Sequence, residues 1–137
     1  MIAPLPLQEF MSILRSCWDV KTSFTPEEWT AANPARGQCL VSSLVVQDYY
    51  GGDLKRYRVK GNDFEETHYC NILYNGTVLL DTTAAQYTAP VLLATSDIEL
   101  RGYATAREKY LSDHHTRAQY EILRERVKQA RRQPAQQ

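Results

Sequence analysis

Hydrophobic residues near the start of the chain recur at the three- and four-residue spacing of an amphipathic helix. They are Leu7, Phe10, Met11, Leu14 and Trp18. This spacing predicts a first helix over about residues 6–17, with Pro6 accommodated in its first turn. Cys17 falls beside Trp18, and we expect it to pack in the core.

A second hydrophobic run, from Cys39 to Tyr50, has apolar residues on nearly every side. Periodicity alone does not distinguish a buried helix from a buried strand in such a run. The length of the run and the Gly51-Gly52 pair after it favour a helix, whereas its valines favour a strand. A buried helix is the better supported of the two.

The pattern changes to that of strands after Gly52. Alternating charged and apolar residues over 54–59 predict a first strand. Two more strand-like runs, residues 68–74 and 77–81, flank Asn75-Gly76. An Asn-Gly pair between such runs is a strong indication of a hairpin with a two-residue turn.

The predicted hairpin also fixes which residues lie opposite each other. A two-residue turn at Asn75-Gly76 pairs position 74 with position 77. Asp81 then lies opposite position 70, diagonal to His68 and on the same face of the sheet. We therefore expect the carboxylate of Asp81 to lie within reach of the His68 imidazole.

The last third of the chain indicates a loop followed by a helix. Residues 92–102 show no regular pattern, which predicts irregular structure. Ser112 or Thr116 is the expected N-cap of a final helix, since Thr116 and Gln119 have capping-box spacing. The apolar stripe of this helix consists of Tyr120, Leu123, Val127 and Ala130.

The chain has 137 residues, of which 43% are hydrophobic and 23% are charged, as is ordinary for a globular protein. This length predicts one domain over residues 1–131, with a disordered tail over residues 132–137. No hydrophobic run approaches the roughly 18 residues that a membrane-spanning helix needs, and the first residues do not resemble a secretory signal. Three irregularly spaced cysteines do not make a disulfide framework, so we expect a reduced, cytoplasmic protein.

The formal net charge is zero, but the charges are unevenly distributed. Residues 1–100 have 7 basic and 12 acidic side chains, whereas residues 101–137 have 9 basic and 4 acidic ones. The basic excess lies on the predicted last helix, where it is typical of a solvated amphipathic face. We therefore expect neither a nucleic-acid partner nor a membrane partner.

Cys39 is the leading candidate for chemistry, because it stands at the start of the predicted buried helix. A thiolate in that position is stabilised by the positive end of the helix dipole and by free backbone N–H groups. Those N–H groups and the side-chain amide of Gln38 are candidate donors to an oxyanion. The alternative is an ordinary buried cysteine, which is a common role for a free thiol.

His68 and Asp81 complete a candidate catalytic set with Cys39. A strand histidine that faces the helix start is placed to act as the general base, and a carboxylate beside it fixes the tautomer and stabilises the imidazolium. If the three side chains converge, they form a cysteine-nucleophile site. The alternatives are a structural imidazole at His68 and a turn-capping carboxylate at Asp81.

Two other functions remain open. A structural zinc ion would suit Cys39, His68, Cys70 and Asp81 if all four faced one point, although no closely spaced pair of ligands anchors such a site. A binding or inhibitor module that keeps the fold without turnover would leave Cys39 an ordinary thiol. The enzyme hypothesis itself requires no cofactor.

Several segments resemble the YunG-like family of small bacterial proteins, over about residues 10–125. The most specific is the block from Gly37-Gln38-Cys39 to Gly51-Gly52. The others are Trp18 with Thr22-Ser23, Asn33-Pro34-Ala35-Arg36, His68-Tyr69-Cys70-Asn71, Leu80-Asp81-Thr82-Thr83 and Gln86-Tyr87. The pattern is similar to that of papain-like and transglutaminase-like cysteine enzymes.

This resemblance implies an α+β fold with a papain-like core, in which the helix that bears the nucleophile packs on a small antiparallel sheet between N- and C-terminal helices. It implies that Cys39 is the nucleophile, His68 the base and Asp81 the orienting carboxylate. The implied reaction is acyl transfer, as in a hydrolase, deamidase or transglutaminase, from an amide, isopeptide or thioester carbonyl of a peptide, protein or small amide. From its position around these motifs, Trp18 is a further candidate for a wall of the substrate pocket.

Overall fold

The computed structural model describes residues 5–132, which contain four α-helices and an antiparallel four-stranded sheet. The helices are α1 (Leu7–Ser16), α2 (Cys39–Tyr50), α3 (Ala106–Leu111) and α4 (His114–Arg132). The strands are β1 (Asp53–Lys60), β2 (Glu65–Leu73), β3 (Val78–Leu80) and β4 (Leu92–Ser96). Short 3₁₀ turns cover Val20–Thr22, Pro26–Glu28 and Ala84–Gln86. The predicted α+β class and the predicted first helix are confirmed.

The sheet has the strand order β3-β2-β1-β4, and each neighbouring pair is antiparallel. β2 and β3 form the predicted hairpin, with Asn71 opposite Leu80. In the turn between them, Asn75 and Gly76 have φ angles of 57° and 86°, positive as a two-residue hairpin turn requires. The predicted register is therefore confirmed, and Asp81 follows directly after the last residue of β3.

The hydrophobic run that begins at Cys39 is the helix α2, because the fold buries it on several sides. Residues 41–46 are all buried, and the helix packs against β2 and α4. Gly51 ends the helix with a φ of 67°, a conformation that favours glycine. A helix satisfies its backbone hydrogen bonds internally, so it can be buried on several sides. The packing of its valines in the core outweighs their preference for strands.

The hydrophobic core lies between α1, α2, α4 and the sheet. Its fully buried side chains include Phe10, Leu14, Leu44, Leu73, Leu123 and Val127. Each contributes about 1.5–3 kcal/mol to stability through burial. The predicted apolar stripe of α4 is confirmed, because Tyr120, Leu123 and Val127 are buried and Ala130 packs at the edge of the core.

Two expectations for the last third of the chain are wrong. Residues 92–96, which we expected to be irregular, form β4 and pair with β1 at the edge of the sheet. Because β4 is exposed on both faces, it lacks the alternation of a half-buried strand. The last helix begins at His114, and the carboxylate of Asp113, rather than Ser112 or Thr116, caps it by accepting the Thr116 N–H at 2.9 Å.

The short helix α3 was not expected from the sequence. Thr105 caps it, since its Oγ1 accepts the N–H of Glu108 at 3.1 Å. Ser112, expected as the cap of the last helix, ends α3.

Beyond Arg132 at the end of α4, the predicted tail lies outside the described residues. Among the helices in residues 5–132, none combines the length and the apolar character needed to cross a bilayer.

Gly52 allows the chain to pass from α2 into β1 close to β2. It has a φ of 78°, and a Cβ atom there would overlap the carbonyl oxygen of Ile72. Gly76 has a similar φ of 86° but open space around it. We expect Gly76→Ala to lower the free energy of unfolding by about 1–2 kcal/mol through backbone strain alone, and Gly52→Ala to lower it further. Urea unfolding measures both losses, and equal losses would contradict the close packing of Gly52 on β2.

Candidate functional site

Cys39 is the first residue of α2 and is partly exposed. The first hydrogen bond of the helix runs from the N–H of Ser42 to the carbonyl of Gln38, at 3.0 Å. The N–H groups of Cys39 and Leu40 precede that bond, so the helix offers them no acceptor. A negative charge on the Cys39 sulfur, or on an oxygen bound beside it, is therefore stabilised at this end of the helix.

Gly37 lets the preceding loop fold tightly against the start of α2. Its φ is 78°, and a Cβ atom there would overlap the hydroxyl of Ser23. The N–H of Phe24 donates to the Gly37 carbonyl at 2.8 Å, and the Ser23 hydroxyl donates to the Arg36 carbonyl at 2.8 Å. The loop is thereby held beside Cys39.

His68 lies on β2 and is only 1% exposed. Its Nε2 is 2.8 Å from Oδ2 of Asp81. Because a carboxylate accepts hydrogen bonds, Nε2 carries a proton and Nδ1 is the nitrogen left for Cys39. The thiol and the imidazole are close enough for a hydrogen bond between them to affect the pKa of His68. The structure therefore brings together the three residues that the sequence analysis grouped.

The surroundings of His68 raise its pKa from 6.5 to about 9. Burial is the largest influence and opposes the positive charge, but the hydrogen bond to Asp81 and then that to Cys39 act in the other direction. The charges of the same two partners add to the upward shift. The imidazolium is therefore favoured at neutral pH, and it is the partner that stabilises a thiolate.

Asp81 is held in place by the backbone that follows it. Its Oδ1 accepts the N–H of Thr83 at 3.2 Å, while its Oδ2 contacts His68. Thr82 and Thr83 are buried, so this turn is packed against the rest of the molecule. The carboxylate therefore makes both contacts considered above, one to the turn through Oδ1 and one to the imidazole through Oδ2.

Gln86 is a buried residue of the site that the sequence analysis did not connect with the chemistry. Its Oε1 accepts from Nη1 of Arg36 at 3.0 Å and from the Gly37 N–H at 3.3 Å. Its Nε2 donates to Oγ1 of Thr83 at 3.2 Å and lies 3.4 Å from Nδ1 of His68. One side chain therefore links the helix start, the histidine strand and the aspartate turn. Only the Gln86-Tyr87 pair within the family resemblance pointed to it.

Arg36 holds the same region through charged hydrogen bonds. Its guanidinium donates to both carboxylate oxygens of Glu66 at 2.7 Å and to the Glu28 carboxylate at 2.7 Å. The Tyr87 hydroxyl also donates to Glu66, at 3.0 Å, and the Tyr87 ring packs edge-on against His68. The hydrogen bond from Arg36 lowers the pKa of Glu66 in spite of burial, so this carboxylate stays charged.

Cys39 opens onto a cleft of about 600 Å³. Its apolar and aromatic walls include Phe24, Leu40, Tyr69 and Tyr110, and the Tyr69 hydroxyl donates to the Tyr110 hydroxyl at 2.9 Å. Charged side chains that also border it are Arg36, Glu66, Lys109 and Asp113. The cleft has room for a side-chain-sized group next to the Cys39 sulfur.

Two residues that we expected near the chemistry, Trp18 and Gln38, have other surroundings, and a third, Cys70, lies near Asp81 and Cys39 but stays protonated. Trp18 is a core residue rather than a pocket wall, because it is 8% exposed and its indole N–H donates to Oγ of Ser42 at 2.8 Å. The side-chain amide of Gln38 is buried and already donates to the Asp19 carbonyl at 3.0 Å, so it is not free for an oxyanion. Burial raises the pKa of Cys70 to about 12, so this thiol stays protonated.

The geometry does not support the zinc alternative. Within residues 5–132, no three or more His, Cys, Asp or Glu side chains are arranged to hold a metal ion. The four residues considered for zinc, Cys39, His68, Cys70 and Asp81, therefore do not form a metal site in the described structure. All three cysteines are free thiols.

Sequence comparison identifies relatives of this chain. The family profile described as YunG protein matches residues 6–132. The chain belongs to the YunG family. A protein of Bacillus subtilis (strain 168), named Uncharacterized protein YunG, is 35% identical over 113 residues, which cover 82% of this chain and 84% of the relative. No solved structure matches the chain, so the likeness of this YunG-family chain to papain-like enzymes stays a prediction.

The raised pKa of His68 predicts how the stability of this YunG-family chain depends on pH. A folded-state pKa of about 9, against 6.5 when unfolded, means that the folded protein binds this proton more tightly. The resulting stabilisation is complete below pH 6.5 and is lost as the pH rises through about 9. We expect the free energy of unfolding to fall across that window by on the order of 3 kcal/mol, and to fall less in Asp81→Asn.

Urea unfolding at several pH values measures this dependence in the wild type and in Asp81→Asn. The same dependence in both proteins would show that Asp81 does not raise the pKa of His68.

Proposed function

We propose that this chain is a cysteine-nucleophile enzyme that transfers an acyl group from an amide, isopeptide or thioester carbonyl. The observation that carries the proposal is the 2.8 Å contact between Nε2 of the buried His68 and Oδ2 of Asp81, next to a cysteine at a helix start. A carboxylate on one ring nitrogen leaves the other available to a thiol, which is the arrangement that a general base requires.

In the proposed reaction, the proton of Cys39 lies on Nδ1 of His68, and the thiolate sulfur attacks the carbonyl carbon while the C=O π electrons move onto the oxygen. Asp81 stabilises the imidazolium through Nε2. As the tetrahedral intermediate collapses, Nδ1 returns the proton to the leaving nitrogen or sulfur and the acyl group stays on Cys39. An acceptor then loses its proton to Nδ1 while its oxygen or nitrogen bonds to the acyl carbon. The C–S bond breaks, which releases the acyl product and leaves Cys39 as a thiolate beside the protonated Nδ1. Water as the acceptor gives hydrolysis or deamidation, and an amine gives transamidation.

We place the oxyanion of this reaction at the N-terminus of α2. The N–H groups of Cys39 and Leu40 precede the first intrahelical hydrogen bond, which leaves them for a ligand. Donors fixed in the backbone stabilise a developing negative charge without having to reorganise. These N–H groups take the role expected of the side-chain amide of Gln38, which instead donates to the Asp19 carbonyl.

The proposal includes a papain-like arrangement of the core and a peptide, protein or small amide as substrate. The order of the elements supports the first part, since the helix with Cys39 precedes the strand with His68 and then Asp81. The cleft of about 600 Å³ supports the second part, because it accepts a side-chain-sized group beside the thiol. Three free cysteines suit a reducing compartment such as the cytoplasm.

The pH dependence of iodoacetamide alkylation, resolved for each cysteine by mass spectrometry, tests the Cys39–His68 pair. We expect iodoacetamide to alkylate Cys39 readily at neutral pH, as it does a thiolate. In His68→Ala the same alkylation should require a higher pH, because the imidazolium that stabilises the thiolate is gone. Cys17 and Cys70 are buried and serve as controls within the same protein. Reaction of Cys39 no faster than theirs at neutral pH would contradict the proposal.

Turnover of an activated ester separates an enzyme from a binding module with the same fold. With p-nitrophenyl acetate we expect a burst of one p-nitrophenol per Cys39 followed by steady release, and no burst in Cys39→Ser. His68→Ala should slow acylation by about 10²–10⁴-fold, since it removes the general base. The core variant Cys17→Ser is the matched control and should keep the burst. A wild type without any burst would indicate a module that binds without catalysis.

A further inference from the structure

Gln86 presents a fixed amide to the imidazole of His68. Its Oε1 accepts from Nη1 of Arg36 at 3.0 Å and from the Gly37 N–H at 3.3 Å. The Arg36 guanidinium and the Gly37 N–H can only donate hydrogen bonds. If the Gln86 amide were flipped, its NH₂ group would face these two donors, so Oε1 must point toward them. Its Nε2 therefore donates, to Oγ1 of Thr83 at 3.2 Å and toward Nδ1 of His68 at 3.4 Å.

This amide N–H meets the ring nitrogen that the proposed reaction uses. Nε2 of His68 is bonded to Asp81, so proton exchange with Cys39 runs through Nδ1. A hydrogen bond donated to Nδ1 stabilises the neutral ring, because it occupies the lone pair that would otherwise take the proton. Gln86 thus opposes Asp81 and Cys39, which both favour the charged ring.

We propose that Gln86 is a positioning residue that limits the proton affinity of His68 Nδ1. This role rests on the proposed function, because it matters only if Nδ1 exchanges a proton with Cys39. An imidazolium that Asp81 and Cys39 stabilise too strongly is a poor acid toward a leaving group. By favouring the unprotonated nitrogen, Gln86 helps His68 to return the proton when the bond to the leaving group breaks.

The other titratable groups around His68 come from each element packed against it. They are Cys39 on α2, Tyr57 opposite His68 on β1, Glu66 and Cys70 on β2, Asp81 after β3 and Tyr87 after the 3₁₀ turn that contains Gln86. Burial raises the pKa of both tyrosines, so they stay neutral at physiological pH. Arg36 holds the charge of Glu66. Substituting Gln86 alone removes none of these groups.

The pKa of His68, measured by NMR in a Cys39→Ser background, tests the proposal. Removing the thiol avoids the coupled titration of two interacting groups. Gln86→Met keeps the length of the side chain and removes the donor, so we expect the pKa of His68 to rise by about half a unit to one unit. If Gln86 only held the loops together, the His68–Asp81 contact would loosen and the pKa would move toward 6.5. An unchanged or lowered pKa would overturn the proposal.

Gln129→Met is the matched control, because Gln129 is an exposed glutamine on α4 that bonds Glu125. It should leave the pKa of His68 unchanged.

A second measurement needs no Gln86 variant. This measurement is the ¹⁵N NMR chemical shift of Nδ1 in the neutral ring of His68. We expect the value of an unprotonated nitrogen that accepts a hydrogen bond, different from the value of the unprotonated ring nitrogen of the exposed His114. A proton on Nδ1, or no displacement, would overturn the proposal.

With Cys39 intact, Gln86→Met should shift the alkylation midpoint of Cys39 to lower pH, since Nδ1 then holds the proton more strongly. This direction is opposite to that expected for His68→Ala, and a shift to higher pH would overturn the role assigned to Gln86. If Cys39 is unreactive in the wild type, the proposed function fails, while the NMR titration still decides whether Gln86 limits protonation of His68.

Discussion

The antiparallel pairing of β2 with β3 is the constraint on which the site depends. Side chains alternate between the two faces of a sheet, so a slip of one residue would carry Asp81 to the face opposite His68. The Asn75-Gly76 turn disfavours such a slip, because both residues adopt the positive φ angles that a two-residue hairpin turn requires. A short turn thereby determines a 2.8 Å contact between side chains 13 residues apart.

The loops on the other side of the site are fixed by a cation rather than by a strand register. Arg36 binds the carboxylates of Glu28 and Glu66 and also donates to Gln86. Removing one carboxylate would leave a partly buried guanidinium without its full compensation, which is costly. Apolar packing therefore sets the position of α2, while charged hydrogen bonds set the position of the loops around its first turn.

Sequence patterns are sufficient where local geometry determines the outcome. Asn75-Gly76 defines the hairpin register, and the run from Cys39 to Tyr50 is long and apolar enough to indicate a buried helix. Sequence patterns do not predict the position of a side chain that depends on contacts with distant segments of the chain. Trp18 is in the core because Ser42 on α2 offers its indole N–H an acceptor, and Gln86 approaches His68 because the chain turns back after Asp81. No local spacing encodes either contact.

The position of α4 in the core has a consequence for the way this protein is made. Leu123 and Val127 are fully buried in the same cluster as Phe10, and Arg126 donates to the carbonyl of Cys17, 109 residues away in sequence. The apolar faces of α1 and α2 that α4 covers therefore stay exposed until α4 has left the ribosome. Closure of the core waits for this helix, and the nascent chain is most exposed to aggregation just before α4 emerges.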